Sequence, residues 1–215
     1  MKYYIIEESL AGVYPKVECD TINEADIASK FSNYIGKVNP QSLNLHYTLK
    51  YHAKVTDVLT SLSCGNFNFL VSERFKQLLE EANLAGHIFF KASVMQKEKE
   101  LRYYMLTLLT DEKVLGYIDY AKSKFRETEY GFKKYVGPII TINSYKHYRE
   151  LLEAATNIMF AVRSEKLIMA EDFDRSLDMF TFKPFDTKVY ISEKLKRKIE
   201  EANITGVEIS GPVEF

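Results

Sequence analysis

Two stretches set 120 residues apart decide how this chain reads. The first is Val71-Ser72-Glu73-Arg74-Phe75-Lys76-Gln77-Leu78-Leu79-Glu80-Glu81-Ala82-Asn83-Leu84-Ala85-Gly86. The second is Ile191-Ser192-Glu193-Lys194-Leu195-Lys196-Arg197-Lys198-Ile199-Glu200-Glu201-Ala202-Asn203-Ile204-Thr205-Gly206. They align without a gap, and eight of the sixteen pairs are identical. Unrelated sequences of average composition would share roughly one. In the first copy Phe75, Leu78, Leu79 and Ala82 fall at i, i+3, i+4 and i+7, one face of a helix. Ser72 is a good N-cap, and Glu73 sits where the helix dipole favours an anion. Asn83 suits a left-handed C-terminal cap. Gly86 lets the chain turn into His87-Ile88-Phe89-Phe90, a strand. Convergent amphipathic chemistry is the competing explanation, since Glu, Lys and Ala are common on any surface helix. The matched serine, Glu-Glu-Ala-Asn end and glycine are boundary signals and favour duplication. Helices are therefore expected near 72–83 and 192–203, each inside a strand–helix–strand unit. The 120-residue offset is too long for a solenoid period.

Around these copies the chain is mostly strand-like. Lys2–Glu7, Asn66–Val71, Leu101–Leu109, Val114–Asp119, Ile139–Ile142 and Lys188–Ile191 read as strands. Ile158–Val162 and Lys166–Ala170 read as a hairpin across Arg163-Ser164-Glu165. Glu24–Ile35 reads as a helix capped by Asn23, ended by Gly36 and Asn39-Pro40. Ser144 caps a further helix carrying Tyr148, Leu151, Leu152 and Ala155. Between Leu43 and Ser63 the pattern is ambiguous: Leu43, Leu45, Tyr47 and Leu49 alternate, whereas Val55, Val58, Leu59 and Leu62 have helical spacing. This mixed order predicts an α+β fold with a mixed or antiparallel sheet, not a doubly wound one. Residues 1–65 are expected to form an N-terminal region packed on a main body spanning 66–215.

Composition narrows the function classes. The chain has 215 residues, 46% of them hydrophobic, with 29 basic and 30 acidic residues and a net charge of −1. A nucleic-acid partner is not expected, because such proteins carry a basic excess to displace counterions. A membrane partner is not expected either, since no apolar run approaches the about 20 residues needed to span a bilayer. Cys19 and Cys64 lack CxxC spacing, and two thiols suit a reducing, cytoplasmic setting, with one structural disulfide as the alternative.

Candidate chemistry is sparse. His46, His52, His87 and His147 show no metal-ligand spacing, so neither a metal nor a cofactor is expected. Tyr120-Ala121-Lys122-Ser123-Lys124 matches the Tyr-x-x-x-Lys pair of short-chain dehydrogenases, but no glycine-rich dinucleotide turn accompanies it. Asp172-Phe173-Asp174 could hold a divalent cation, but a solvated acidic turn after a strand is the far commoner origin of that pattern. Glu80-Glu81 and Glu200-Glu201 point about 100° apart on their helices, so neither pair can act on one bond. Ser123, Cys19 and Cys64 are available nucleophiles without a nearby base.

The Tyr-rich strand, the run Tyr117-Ile118-Asp119-Tyr120-Ala121-Lys122-Ser123, and the closing Ser192-Glu193-Lys194-Leu195-Lys196 … Ala202-Asn203-Ile204-Thr205-Gly206-Val207-Glu208 together resemble one bacterial family. It is the immunity protein family numbered eleven among those of polymorphic toxin systems, formerly a domain of unknown function. Val71–Lys76 fits it too, and the resemblance covers roughly Asn66 to Val207. It implies a cytoplasmic, non-catalytic protein that binds a cognate toxin. It carries no catalytic residues. An enzyme with a dispersed site and an adaptor are the alternatives. Such a protein needs aromatic and charged anchors. Tyr120, Lys124, Arg126, Tyr130, Lys134 and Tyr135 crowd one segment and are the expected partner-binding residues.

Overall fold

The computed structural model describes residues 2–14, 16–19, 45–60, 69–110, 112–129, 137–156 and 160–215. The expected helix at 24–35 lies outside them, as does Cys64. In chain order the elements are β1 (Tyr3–Glu8), β2 (Val17–Cys19), β3 (Leu45–Leu49), β4 (Val58–Leu59), β5 (Phe69–Ser72) and α1 (Glu73–Glu80). Then come β6 (His87–Gln96), β7 (Lys99–Leu108), α2 (Glu112–Gly116), β8 (Lys124–Glu129), β9 (Ile139–Ile140) and α3 (Tyr145–Ala154). The last are β10 (Phe160–Lys166), β11 (Met179–Thr181), β12 (Val189–Ser192), α4 (Glu193–Glu201) and β13 (Val207–Val213). The fold is α+β, with one parallel strand pair, β3 on β6, among antiparallel ones.

The chain forms two compact units. The first gathers Met1–Leu109, Leu177–Phe180 and Val189–Val213; the second gathers Thr110–Ser176, Thr181–Lys188 and Glu214–Phe215.

The first unit holds the duplication. Its six-stranded sheet has the order β2-β3-β6-β7-β5-β4, and its four-stranded sheet the order β11-β12-β1-β13. Read from β4, the larger sheet runs β4-β5-β7-β6, and the smaller one repeats that arrangement with β1 in the place of β7. The registers agree. Phe89 lies opposite Leu106 and His87 opposite Leu108 in the first repeat. Ile209 lies opposite Ile6 and Val207 opposite Glu8 in the second. On the other side Val71 faces Tyr104 and Ser72 faces Tyr103, just as Ile191 faces Tyr4 and Ser192 faces Tyr3. Lys2-Tyr3-Tyr4-Ile5-Ile6 is thus the counterpart of Arg102-Tyr103-Tyr104-Met105-Leu106. The second repeat is completed by a strand from the opposite end of the sequence.

Both helices start as the sequence predicts. Ser72 Oγ accepts from Phe75 N and Ser192 Oγ accepts from Leu195 N. Phe75 and Leu79 from α1, and Leu195 and Ile199 from α4, enter one shared core with Ile6, Val71, Leu106 and Ile191. Each of these side chains contributes about 1.5–3 kcal/mol by leaving water. The opposite face of the six-stranded sheet buries Leu45, Tyr47, Leu70, Phe90, Val94, Tyr103 and Met105. The helix ends differ between copies: Asn203 takes the left-handed conformation at φ 50°, whereas Asn83 keeps a negative φ. Gly206 has φ 85°, and a Cβ there would stand 2.2 Å from the Val58 carbonyl oxygen.

In the second unit β10, β8 and β9 form an antiparallel sheet. Ser144 caps α3 as expected, through His147 N. Phe125, Tyr148 and Phe185 cluster, with ring centroids 4.8–5.0 Å apart on Phe185. Two expectations fail here. Val114–Asp119 is not a strand: Glu112–Gly116 is helical. Val114 and Leu115 are both buried, and adjacent residues share a broad helix face but point to opposite faces of a strand. Nor is there a hairpin across Arg163-Ser164-Glu165. Strand β10 runs straight through them, pairing Val162 with Glu127 and Arg163 with Arg126. That tripeptide lacks the Gly or Asn that tight hairpin turns need, and β8 offers a longer partner. In the first unit the ambiguous segment resolves in part: Val58 and Leu59 are a strand paired to Val71 and Leu70.

Candidate functional surface

The residues expected to bind a partner are placed unevenly. Tyr130, Lys134 and Tyr135 lie outside the described residues. Lys124 is exposed at the start of β8. Arg126, on the same strand, is half-buried, pairs with Glu165 and donates to the Gly137 carbonyl at 2.8 Å. Tyr120 packs its ring against Phe125 and Phe185. Its hydroxyl oxygen is buried, and burial pushes its pKa up. A tyrosine base of the dehydrogenase kind needs the opposite shift, so the Tyr120–Lys124 pair does not work that way.

Other candidate groups also have local explanations. Asp174 accepts from the backbone and hydroxyl of Ser176, closing a turn. Ser123 Oγ accepts from Ile168 N. Among the described residues no three His, Cys, Asp or Glu side chains gather as a metal site would require. No helix among them is long and apolar enough to cross a membrane.

Two buried carboxylates missed by the sequence reading tie the repeats together. Asp57 precedes β4 and Asp178 precedes β11, at equivalent places. Each backbone carbonyl accepts from its own repeat's serine: Ser72 N to Asp57 O at 2.7 Å, Ser192 N to Asp178 O at 2.9 Å. Each side chain also takes that serine's hydroxyl, at 2.9 Å and 2.6 Å. The remaining acceptor capacity crosses to the other repeat. Asp57 accepts from Thr205 N at 2.9 Å and Thr205 Oγ1 at 2.8 Å, beyond α4. Asp178 accepts from Asn83 N at 3.0 Å, beyond α1. A cation on the serine's helix completes each site: Arg74 Nη2 at 2.6 Å from Asp57, Lys194 Nζ at 3.2 Å from Asp178. Burial alone raises the Asp57 pKa, but the hydrogen bonds from Arg74, Thr205 and Ser72 outweigh it and hold it at about 2. At Asp178 burial is likewise overcome by Ser192, Asn83 and Lys194, and its pKa is lowered. Asp and Thr are unremarkable in a sequence. The ungapped repeat alignment does not pair them either, since it sets Leu177 opposite Asp57; only the strands that follow them mark Asp57 and Asp178 as equivalent.

The same logic recurs on the helix surfaces. Lys76 sits 4.9 Å from the Tyr104 ring centroid and Lys196 sits 5.2 Å from that of Tyr4. Each lysine also pairs with a glutamate four residues on. The clamps and these stacked lysines are what both copies keep, and all serve the fold.

One surface is not duplicated. On the face of the six-stranded sheet that carries α1, strands β3, β6 and β7 floor an open basin of about 700 Å³. Lys91 lies opposite Tyr104, and Ser93 lies opposite Arg102 on one side and His46 on the other. His46 Nδ1 and Ser93 Oγ are 2.7 Å apart. Tyr104 donates to Glu73 at 2.6 Å, and Arg102 reaches the same carboxylate at 3.8 Å. Lys91, Glu100 and Arg102 are exposed. The second repeat keeps Tyr4 and Lys2 for Tyr104 and Arg102. The register slips between Tyr3 and Ile5, so Val213 lies opposite Tyr3, at the place of Ala92, and Gly211 and Pro212 pass Tyr4 where Lys91 faces Tyr104.

No curated protein matches the chain. A family model does, over residues 12–210, and its description is the immunity protein family (Imm11). That span takes in both repeats' helices and the basin, and on it the chain belongs to the Imm11 immunity protein family.

Proposed function

We propose that the chain binds a protein toxin one-to-one and neutralises it without turnover, in the cytoplasm of a bacterium carrying a polymorphic toxin system. The observation that carries this reading is the family match across residues 12–210. The architecture supports it: strands buried on both faces and crossed carboxylates hold a stiff surface, so little conformational entropy is lost on docking. Inhibition by binding needs that stiffness and needs no reactive group. Among the residues expected from the sequence to touch a partner, exposed Lys124 is a contact in this proposal, with Arg126 beside it and Tyr130, Lys134 and Tyr135 further along the segment. Tyr120 supports β8 from beneath.

The test is co-expression with the polypeptide encoded by the adjacent open reading frame, scored by cell survival and by co-purification. Survival that depends on this chain, with a one-to-one complex, is the expected result. Survival without a complex, or turnover of the partner by catalytic amounts of this chain, would overturn the reading.

A further inference from the structure

We propose that the basin over β3, β6 and β7 is a docking site for an acidic segment of a protein partner, seated on Lys91, Arg102 and the His46–Ser93 pair. This deepens the toxin-binding reading and rests on it for the partner's identity, though not for the chemistry of the site.

The duplication acts as an internal control. What the fold requires appears twice: the capping serines, the crossed aspartates, the lysines stacked on Tyr104 and Tyr4. What appears once answers to something else. Lys91 has no counterpart in the second repeat, where Gly211 and Pro212 pass Tyr4, and β13 ends before the place of Ser93. Both residues stand in a sheet floor whose register sets Lys91 opposite Tyr104 and Ser93 opposite Arg102. Strand-borne side chains hold their positions better than loop-borne ones.

The donors suit carboxylates. Glu73 accepts from Tyr104 and lies 3.8 Å from Arg102, at the start of α1. Lys91 has no ion-pair partner among the described residues and is exposed. Arg102 contacts Glu73 only at 3.8 Å and keeps donors for an incoming carboxylate. Such a group gains charge-assisted hydrogen bonds from both cations. Arg and Tyr at the floor are the residue types that dominate interface energetics. Glu100, exposed at the rim beside Arg102, is an opposing charge and sets the direction of a decisive variant.

The probe is a short peptide, Asp-Glu-Asp-Glu, titrated into the isotope-labelled full chain at low salt, with amide and side-chain NMR shifts followed. Shifts confined to β3, β6 and β7, lost in Lys91→Glu/Arg102→Glu, are expected. Glu100→Lys should tighten binding about threefold to tenfold, a gain that structural damage does not produce. Shifts spread evenly over lysines across the surface, or none, would overturn the site. The adjacent-gene polypeptide forms the second arm. If wild type binds it, the double charge reversal should weaken binding at least tenfold while Lys146→Glu, an exposed site on α3, leaves it within about twofold; a double reversal that binds like wild type would overturn the site. If wild type does not bind it but the peptide still maps to the basin, the toxin-binding reading falls for that partner and the acidic-segment site stands.

Discussion

At the residue scale, Asp57 and Asp178 concentrate the most consequence in the fewest atoms. Each is a buried charge whose removal leaves a cation and several donors without their acceptor. Breaking such a site costs about 3–5 kcal/mol in general. Asp57→Asn should therefore lower the melting temperature by roughly 6–20 °C, read by calorimetry at neutral pH. The pH dependence has a definite sign. The folded pKa of Asp57, about 2, lies below its ordinary value of 3.8. Its contribution, of order 2 kcal/mol, is complete above about pH 4 and drains away as pH falls toward 2. Denaturant unfolding at pH 7, 4 and 2.5 should show this loss, and Asp57→Asn should flatten it. Gly206 supplies a second residue-scale test. Its φ of 85° and the 2.2 Å approach of a Cβ to Val58 O make Gly206→Ala costly, by about 2 kcal/mol or more. Gly116, with nothing within 4 Å, should accept alanine at little cost.

At the scale of elements, the serine caps were legible because their chemistry is local. Ser72 and Ser192 satisfy helix donors three residues on, and spacing alone reveals that. The helices' buried faces were legible for the same reason, being periodic. What depended on a distant partner was not. Val58-Leu59 looks helical until Val71 and Leu70 lie beside it, and Arg163-Ser164-Glu165 looks like a turn until β8 pairs with it. The basin was invisible because its residues alternate along three strands far apart in sequence, and alternation says which residues share a face, not which faces meet. The strand β1 is the sharpest case. Tyr3-Tyr4 repeats Tyr103-Tyr104 at an offset of 100, while the helices repeat at 120, so one search period cannot find both. This placement yields a prediction. Tyr3 pairs with Val213, so a short linker from Phe215 to Met1, with new ends at Gly12, makes the second repeat contiguous like the first. That circular permutant should melt within a few degrees of the parent, measured by circular dichroism. Gly12 is a suitable opening, since nothing lies within 4 Å of a Cβ there.

At the scale of the whole molecule, the crossed aspartates predict how the first unit comes apart. Because each repeat's carboxylate holds the loop beyond the other's helix, and because both helices share one core, neither repeat should open alone. Hydrogen exchange should give β5 and β12 the same opening free energy, and Asp57→Asn should lower protection in both strands together. Protection lost in β4 and β5 alone would show the repeats to be separable.

The position of β1 has a further consequence during protein synthesis. Its partners β12 and β13 leave the ribosome more than 180 residues later. At 5–20 residues per second, that is a wait of roughly 10–40 s. Through that interval a tyrosine- and isoleucine-rich segment stays without the neighbours on either side that it was built to join. The nascent chain cannot close this unit until β12 and β13 have been made, so its first few residues find their place only after those late strands emerge.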